Sequence, residues 1–385
     1  MAERVTLQTI ADRVGVSRAT VSYAFSRPDQ LSEELRARIL RVAGELGYAG
    51  PNPTARSLRL GRAGALGLIF TETLPYAFAD PYSIGFLQGL AVAAEEASVG
   101  LLILQQPPGV QRPEIVRNAV VDAFCVFSLP DGHATLDAVL ARRLPTVFVD
   151  EPYIPGLPFI GIDELAAAGE AVRHVVDLGH RRLGLALVGL HQDGRHGWAD
   201  LRRQRSAEYE AMRTRVEGYR LAGEQAGVDW ASVPVYEVAG NVRESGREAG
   251  RALLARDPRP TAILCNTDVM ALGVLDAAAE AGLKVPEDLS VVGFSDSGAE
   301  EADLTTIRQP KQLIGQTAGR MLLSGLPPEP ERLILPHELI VRGSTARAPS
   351  PPEPSPAEVL GRVTPTSSGG FEAVVGRDPA RHRTG

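Results

Sequence analysis

Eight continuous apolar runs, separated by stretches with helical spacing, constrain this chain more than any other feature in it. They read ALGLIF from Ala65, GLLIL from Gly100, AFCVF from Ala123, PTVFVD from Pro145, RLGLALV from Arg182, VPVYEV from Val233, TAILC from Thr261 and LSVVGF from Leu289. A strand wetted on one face alternates apolar with polar. A run that is apolar throughout is covered on both faces, as in a parallel sheet between helical layers. The stretches 84–97, 165–178 and 269–281 have the length and spacing of the crossover helices such a sheet needs. The expected body is a doubly wound α/β structure with parallel sheets. The runs form two series, the second starting near Asp163, which predicts two similar lobes and a cleft where the carboxyl ends of the strands gather a ligand. At 385 residues and 44% apolar, the chain can fill such a core and carry a small appendage.

The first fifty residues follow the helical period instead. After Thr6 as N-cap, Leu7, Ile10, Ala11 and Val14 keep one apolar face, and Gly15 offers the left-handed residue that closes a helix. Ser17 opens a second short helix with Val21, Ala24 and Phe25 on its inner side. Ser32, with Glu33 and Glu34 in the positive first turn, opens a third that carries Leu35, Ile39, Val42 and Leu46 and stops at Gly47. Helix, tight turn, helix and packing helix form a helix-turn-helix head over residues 1–50. Its second helix turns Arg18, Ala19, Ser22 and Tyr23 outward. Arg18 can fork onto guanine O6 and N7 in the major groove, and Tyr23 reaches a base edge or a thymine methyl. Thr6, Ser17 and Thr20 suit phosphate, which fixes register without reading sequence.

Charge agrees with that division. Residues 1–62 hold ten Arg and six Asp or Glu, a balance of +4, which leaves −11 for the rest of a chain whose net charge is −7. A basic head on an acidic body suits a protein whose head meets phosphate. Between them, residues 51–62 offer Asn52 as cap, Pro53 for the first helical position and Gly61 as stop. With about two turns and little apolar surface, this hinge is marginally helical alone and suited to folding on contact. The body is expected over 63–346. From 347 to 385 the composition turns to Pro, Ser, Gly and Thr without periodicity or leucine heptads, and is expected to be a disordered tail.

Other classes fare worse. No apolar run is long enough to span a bilayer, and the charged start at residues 1–5 is unlike a signal peptide, so a cytoplasmic protein without a membrane partner is expected. A solute-binding protein of a transporter shares the two-lobed architecture, but its export would need such a signal. Gly61, Gly64 and Gly67 are spaced GxxGxxG before the first body strand, unlike a dinucleotide fingerprint, and no GxSxG elbow occurs. His191, Asp193 and His196 have no usual metal-ligand spacing and read as a solvated loop. Cys125 and Cys265 sit inside apolar runs and read as core. No catalytic residue, metal or cofactor is expected.

The ordered set Val5-Thr6-Leu7, Ile10-Ala11, Gly15-Val16-Ser17, Ala19-Thr20-Val21-Ser22, Glu45-Leu46-Gly47-Tyr48, Pro51-Asn52-Pro53 and Ala55-Arg56-Ser57-Leu58 resembles the DNA-binding head and hinge of the LacI/GalR repressor family. The likeness runs on through Gly179-His180-Arg181, Arg215-Val216-Glu217-Gly218-Tyr219, Asp268, the stretch from Val285 to Val291, Leu304-Thr305-Thr306 and Gln309-Pro310. It implies a periplasmic-binding-protein-like body and a homodimer on a pseudo-palindromic operator of double-stranded DNA. It further implies hinge helices that form on DNA, with Arg56 beside Leu58 and Leu58 as the minor-groove wedge, and repression as the usual mode. It places a small-molecule effector between the lobes, on Tyr82, Asp150, Arg215, Asn241, Asp268, Ser295 and Asp296. Carboxylates, a forking arginine and an aromatic ring would suit a carbohydrate or related polyol. The chain departs from the family at Gly293-Phe294-Ser295-Asp296, where a first carboxylate is missing, and in the long, charged segment 189–212.

Overall fold

The structure is a computed structural model that describes residues 5–50, 61–325 and 332–349. Arg56, Leu58 and the hinge over 51–60 lie outside the described residues, as does the tail from 350.

The head comprises α1 (Leu7–Val14), α2 (Arg18–Ser26) and α3 (Glu33–Glu45). Thr6 closes a capping box with Thr9, Gly15 takes φ 76°, and Ser17 and Ser32 accept from Thr20 N and Leu35 N. Ile10, Ala11, Val14, Val21, Ala24, Ile39 and Ala43 form a core of their own. Arg36 Nε donates to Ala24 O at 3.4 Å and Arg38 donates to Val14 O, so α3 also covers the carbonyls that end the first two helices.

The body starts at Ala63, where Asp122 accepts from Ala63 N and Gly64 N at 2.6 and 2.7 Å. The first lobe runs β1 (Ala65–Phe70), α4 (Leu74–Ala77), α5 (Pro81–Glu96), β2 (Gly100–Gln105), α6 (Pro113–Asn118), β3 (Ala123–Phe127), α7 (Ala134–Ala141), β4 (Thr146–Val149) and β5 (Phe159–Ile162). The second runs α8 (Glu164–Asp177), β6 (Leu183–Val188), β7 (Gly197–Trp198), α9 (Leu201–Arg205) and α10 (Glu210–Gln225). It continues through β8 (Val235–Val238), α11 (Arg243–Leu254), β9 (Ala262–Cys265), α12 (Asp268–Glu280), β10 (Ser290–Ser295) and β11 (Thr305–Arg308). The chain then returns to the first lobe for α13 (Lys311–Ser324) and β12 (Arg332–Leu335), and ends in the second with β13 (Glu338–Ile340).

The first sheet has the order β12-β5-β4-β3-β1-β2, all parallel, and the second β13-β11-β10-β9-β6-β8-β7, parallel except at the edge pairs β11–β13 and β7–β8. All eight apolar runs are strands. Among the described residues five further strands were not expected: β7, β11, β12 and β13 are short and partly polar or exposed, while β5 (FIGI) is as apolar and buried as the runs that were read. The two lobes are also not two successive series, since the chain crosses between them three times, after β5, β11 and β12. Segment 341–348 seals the second lobe. Val291 N donates to Ser344 O and Ala348 N to Leu178 O, both at 2.9 Å, so ordered packing reaches 348, two residues past the expected boundary.

Helix pairs flank the sheets through glycine. A Cβ on Gly315 of α13 would lie 2.1 Å from Phe86 O of α5, and one on Gly89 of α5 would lie 1.9 Å from Gln312 O. Backbones that close leave no room for a side chain. Gly246 and Gly273 join α11 to α12 in the same way. Cys125 and Cys265 are buried free thiols. Among the described residues no helix is long and apolar enough to cross a membrane.

Candidate functional site

Two surfaces carry the chemistry. On the head, Arg18, Ala19 and Tyr23 of α2 are exposed, with Ser22 half-buried beside them. Val21 and Ala24 of the same helix are buried, which fixes which side of α2 can meet a partner. Thr6 Oγ1 accepts from Thr9 N and Ser17 Oγ from Thr20 N, at 3.3 and 3.0 Å. These hydroxyls are helix caps first, and any contact with phosphate comes in addition.

The second surface is a cavity of about 540 Å³ between the lobes. It stands where the sequence put it for a local reason: each apolar strand ends against the first polar residues that follow it. Thr71 and Glu72 follow β1, Ser128 follows β3, and Asp150 and Glu151 follow β4. From the other side come His191 after β6, Asn241 after β8, Asn266 and Asp268 after β9, and Ser295 and Ser297 at the end of β10. Ser128, Asp150 and Ser295 take φ of 52°, 62° and 112°, values that non-glycine residues hold only where packing imposes them. The wall is partly aromatic. Phe127 stacks between Phe70 and Phe86, with centroids at 5.4 and 4.3 Å, and the Tyr82 ring lies 6.1 Å from it.

Of the seven expected effector residues, six line this cavity: Tyr82, Asp150, Arg215, Asn241, Asp268 and Ser295. Asp296 does not. Its carboxylate is turned away and accepts from Arg308 Nε at 2.7 Å and Arg342 Nη2 at 2.8 Å, ion pairs that tie β10 to β11 and the closing segment. Burial is the largest single influence and acts upward, but the two arginines together outweigh it and hold the carboxyl below the usual range. Arg215 is already committed as well. It forks onto Glu164 at 2.8 and 2.9 Å, donates to Asn266 O at 2.7 Å, and lies 3.6 Å from the Phe294 ring centroid. Asp268 is saturated by Ser295 Oγ, Ser297 N and Thr306 Oγ1 at 3.2, 2.6 and 2.6 Å.

Asp150 differs. Its Oδ2 accepts from Tyr82 OH at 2.8 Å, while its buried Oδ1 has no hydrogen-bond partner among the described residues. Ser297 Oγ is in the same position. Buried polar atoms are nearly always satisfied, so these two mark places for a donor or acceptor from outside the chain. Burial, and secondarily the charge of Glu164, push the Asp150 carboxyl up to about 7, with the Tyr82 hydrogen bond acting against the shift.

Contacts across the cleft hold the lobes together on both rims. Asn241 Nδ2 donates to Tyr76 OH and Asp80 Oδ1 at 2.9 and 3.2 Å, while its own carbonyl accepts from Thr267 at 2.7 Å. On the other rim Glu151 accepts from Ala211 N at 2.9 Å, and Glu210 from Tyr153 N at 2.8 Å. Helix α10 has no cap from its own N-cap residue Tyr209, so Glu151 of the opposite lobe supplies one. Burial drives the Glu151 carboxyl up to about 8, opposed by the bonds from Ser128 and Ala211.

Sequence reasoning missed Glu72, Glu151, Met212 and Ser297. One signal was available for Glu151, an Asp-Glu doublet directly after an apolar strand. Within segment 189–212 the stretch 193–196, with Asp193 and His196, is an exposed loop, while His191 is half-buried and the remainder is ordered. The segment forms β7 and α9, and Arg203 fastens it to Asp193 and to buried Glu237. It brings His191 and Gln192 into the cavity wall. Among the described residues no group of His, Cys, Asp or Glu is placed to hold a metal ion.

Comparison with known proteins gives a consistent result. The family profile "Bacterial regulatory proteins, lacI family" matches residues 6–52, and that of the periplasmic binding protein-like domain matches 172–345. The HTH-type transcriptional regulator IpsA of Corynebacterium glutamicum is 41% identical, over 83% of this chain and 90% of its own length. The HTH-type transcriptional regulator Rv3575c of Mycobacterium tuberculosis is 42% identical over 90% and 98%. The HTH-type transcriptional repressor CytR of Escherichia coli is 31% identical over 89% and 97%. Among solved structures, a complex of the transcriptional regulator CelR with cellobiose superposes with TM-score 0.64 at 28% identity, covering 89% of this chain and all of that one. The lac repressor dimer bound to operator and the anti-inducer ONPF gives TM-score 0.70 at 24% identity over 89% and 100%, a likeness of fold.

Proposed function

The chain belongs to the lacI family of bacterial regulatory proteins and is a DNA-binding transcriptional regulator; from that premise we propose that it is a homodimeric repressor controlled by a carbohydrate or related polyol. In this reading the head spans residues 1–50, the hinge 51–62 and the effector-binding and dimerising body begins at 63. The protein works in the cytoplasm on a pseudo-palindromic operator. Arg18, Ala19, Ser22 and Tyr23 meet base edges, Thr6, Ser17 and Thr20 meet phosphates, and Arg56 and Leu58 of each hinge enter the minor groove.

The observation that carries the effector is the unpartnered Oδ1 of Asp150 in the wall of an aromatic-floored cavity between the lobes. A hydroxyl donated to it supplies the missing bond, and the Tyr82 and Phe127 rings offer a face for the apolar side of a sugar. Arg215, Asn241, Asp268 and Ser295 shape the rest of the site. A relative whose structure holds cellobiose supports the same class of ligand. A ligand that touches both lobes changes operator affinity only by its differential affinity for their arrangements, so its sign is an experimental quantity.

The test is selection of duplexes from a randomised pool at physiological salt, then titration of the winner with and without sugars and polyols. A palindromic winner bound about a thousandfold or more tighter than random duplex, with affinity shifted by a member of the panel, is the expected result. Enrichment of a site with no twofold symmetry would overturn the dimeric reading. Operator binding indifferent to every compound would overturn the polyol reading.

A further inference from the structure

The charges around the cavity are one-sided. Among the described residues six carboxyl groups line it, Glu72, Asp80, Asp150, Glu151, Glu164 and Asp268, against one arginine, Arg215. That arginine is spent on Glu164 in a forked ion pair, and His191, also in the wall, lies 3.3 Å from Glu208. Asp80 and Asp268 take their hydrogen bonds from neutral donors, and the cation that interacts with both, Lys311, stands outside the lining with its ammonium donating to the Ser295 and Asp296 carbonyls. The crowding has a second signature. Burial first, and then Asp80, push the Glu72 carboxyl up to about 7, and the Asp150 and Glu151 carboxyls are raised as well.

An acidic cluster can be mere surface, but this one encloses two buried oxygens without partners, Asp150 Oδ1 and the Oγ of Ser297, whose residue is only 5% exposed. Both can accept, and what these two oxygens lack is a donor. A hydroxyl or an ammonium brings one. A phosphate or carboxylate brings more negative charge into a site of low dielectric, where like charges a few ångströms apart repel strongly.

Resting on the effector reading above, we propose that the cavity selects by charge: it takes a polyhydroxylated molecule that is neutral or carries an amine, and refuses the same molecule as a phosphate ester or a carboxylic acid. The regulator therefore distinguishes a free polyol from its phosphorylated or acidic form, with Asp150 and Glu72 as the residues that set the discrimination.

The experiment uses the full-length protein and a panel of matched compounds: ribose and ribose 5-phosphate, then glucose, glucosamine, glucuronate and glucose 6-phosphate, with cellobiose as a disaccharide. Binding is measured by calorimetry at near-neutral pH. The expected result is that every member that binds is neutral or amino, with its anionic counterpart about 100-fold weaker or more. Asp150→Asn is expected to weaken the neutral member while narrowing its gap to the phosphate, which a purely structural role would not do. An anionic member that binds as tightly as its neutral counterpart overturns the charge selection and leaves the effector cavity standing. Silence across the whole panel overturns the polyol reading and this inference with it. A second measurement needs no ligand: carboxyl carbon NMR should find carboxyls that titrate near neutral pH, with at least one moving down in Glu72→Gln. Ordinary carboxylate midpoints throughout would refute the crowded acidic cavity.

Discussion

Arg18 and Glu151 show how one side chain can be tested against the bulk behaviour of the protein. Arg18 is exposed on the only face of α2 that the head's core leaves free. Arg18→Ala should relax discrimination at one base position in each half-site, at a cost of about 1–3 kcal/mol there. Thr20→Ala, which removes a hydroxyl suited to phosphate, should weaken all sites evenly. Binding to a library of single-base operator variants separates the two, and uniform loss for Arg18→Ala would end its readout role. Glu151 predicts a pH effect whose sign follows from its carboxyl. The folded value of about 8 lies above the ordinary 4.5, so the native state keeps a proton that the unfolded chain releases. Its stabilising contribution is full below about pH 4.5 and is lost as pH rises through about 8. Melting temperature should accordingly fall across that window, and Glu151→Gln should flatten the curve without abolishing it, because Asp150 and Glu72 are raised too. An unchanged slope in the variant would show that Glu151 ionises normally. The placing of Tyr82 and Asp150 between the lobes was expected through resemblance, and both line the cavity, at a helix start and a strand end. Glu72 and Ser297 were not expected there, because a polar residue after a strand looks the same whether it meets solvent or another lobe.

Helices and strands divide by how far their cause lies along the chain. The caps of α1, α2 and α3 are set by Thr6, Ser17 and Ser32, each within three residues of the amide it serves, and sequence alone placed them. The eight long apolar strands were legible for the same local reason. What could not be read was which helices touch, since the glycines that join α5 to α13 are more than two hundred residues apart and carry no side chain to signal a partner. They yield a paired prediction. Gly315→Ala puts a Cβ against the Phe86 carbonyl and should cost about 1–3 kcal/mol or more, measured by urea unfolding. Gly44→Ala, in α3 of the head, has nothing within 4 Å of the new methyl and should be neutral or stabilising by up to about 1 kcal/mol. Equal effects at the two sites would contradict the close helix contact. Segment 189–212 went unread because its order comes from Arg203 reaching buried Glu237, a residue on a strand thirty-four positions later.

For the molecule as a whole, the three crossings decide what can be removed. A chain lacking Pro349 to Gly385 should keep operator binding and the proposed dimerisation, because the described packing reaches Ala348. One ending at Leu335 loses β13 and the segment that pairs with Val291, and should fail to yield a folded body. Size-exclusion chromatography and operator titration of both truncations check this, and a well-folded shorter product would mean that the closing segment is ornamental. The same crossings bear on how the protein is made. The head has its own core and can fold as soon as it leaves the ribosome, whereas the first lobe waits for α13 and β12, and the second for β13 and Ser344. Neither lobe has all its described strands until β12 and β13, at Arg332–Leu335 and Glu338–Ile340, have been made. A premature stop codon almost anywhere in the body therefore leaves a folded head on an unfinished body, and under the proposed dimeric mode such a fragment competes poorly for an operator gripped by two complete chains.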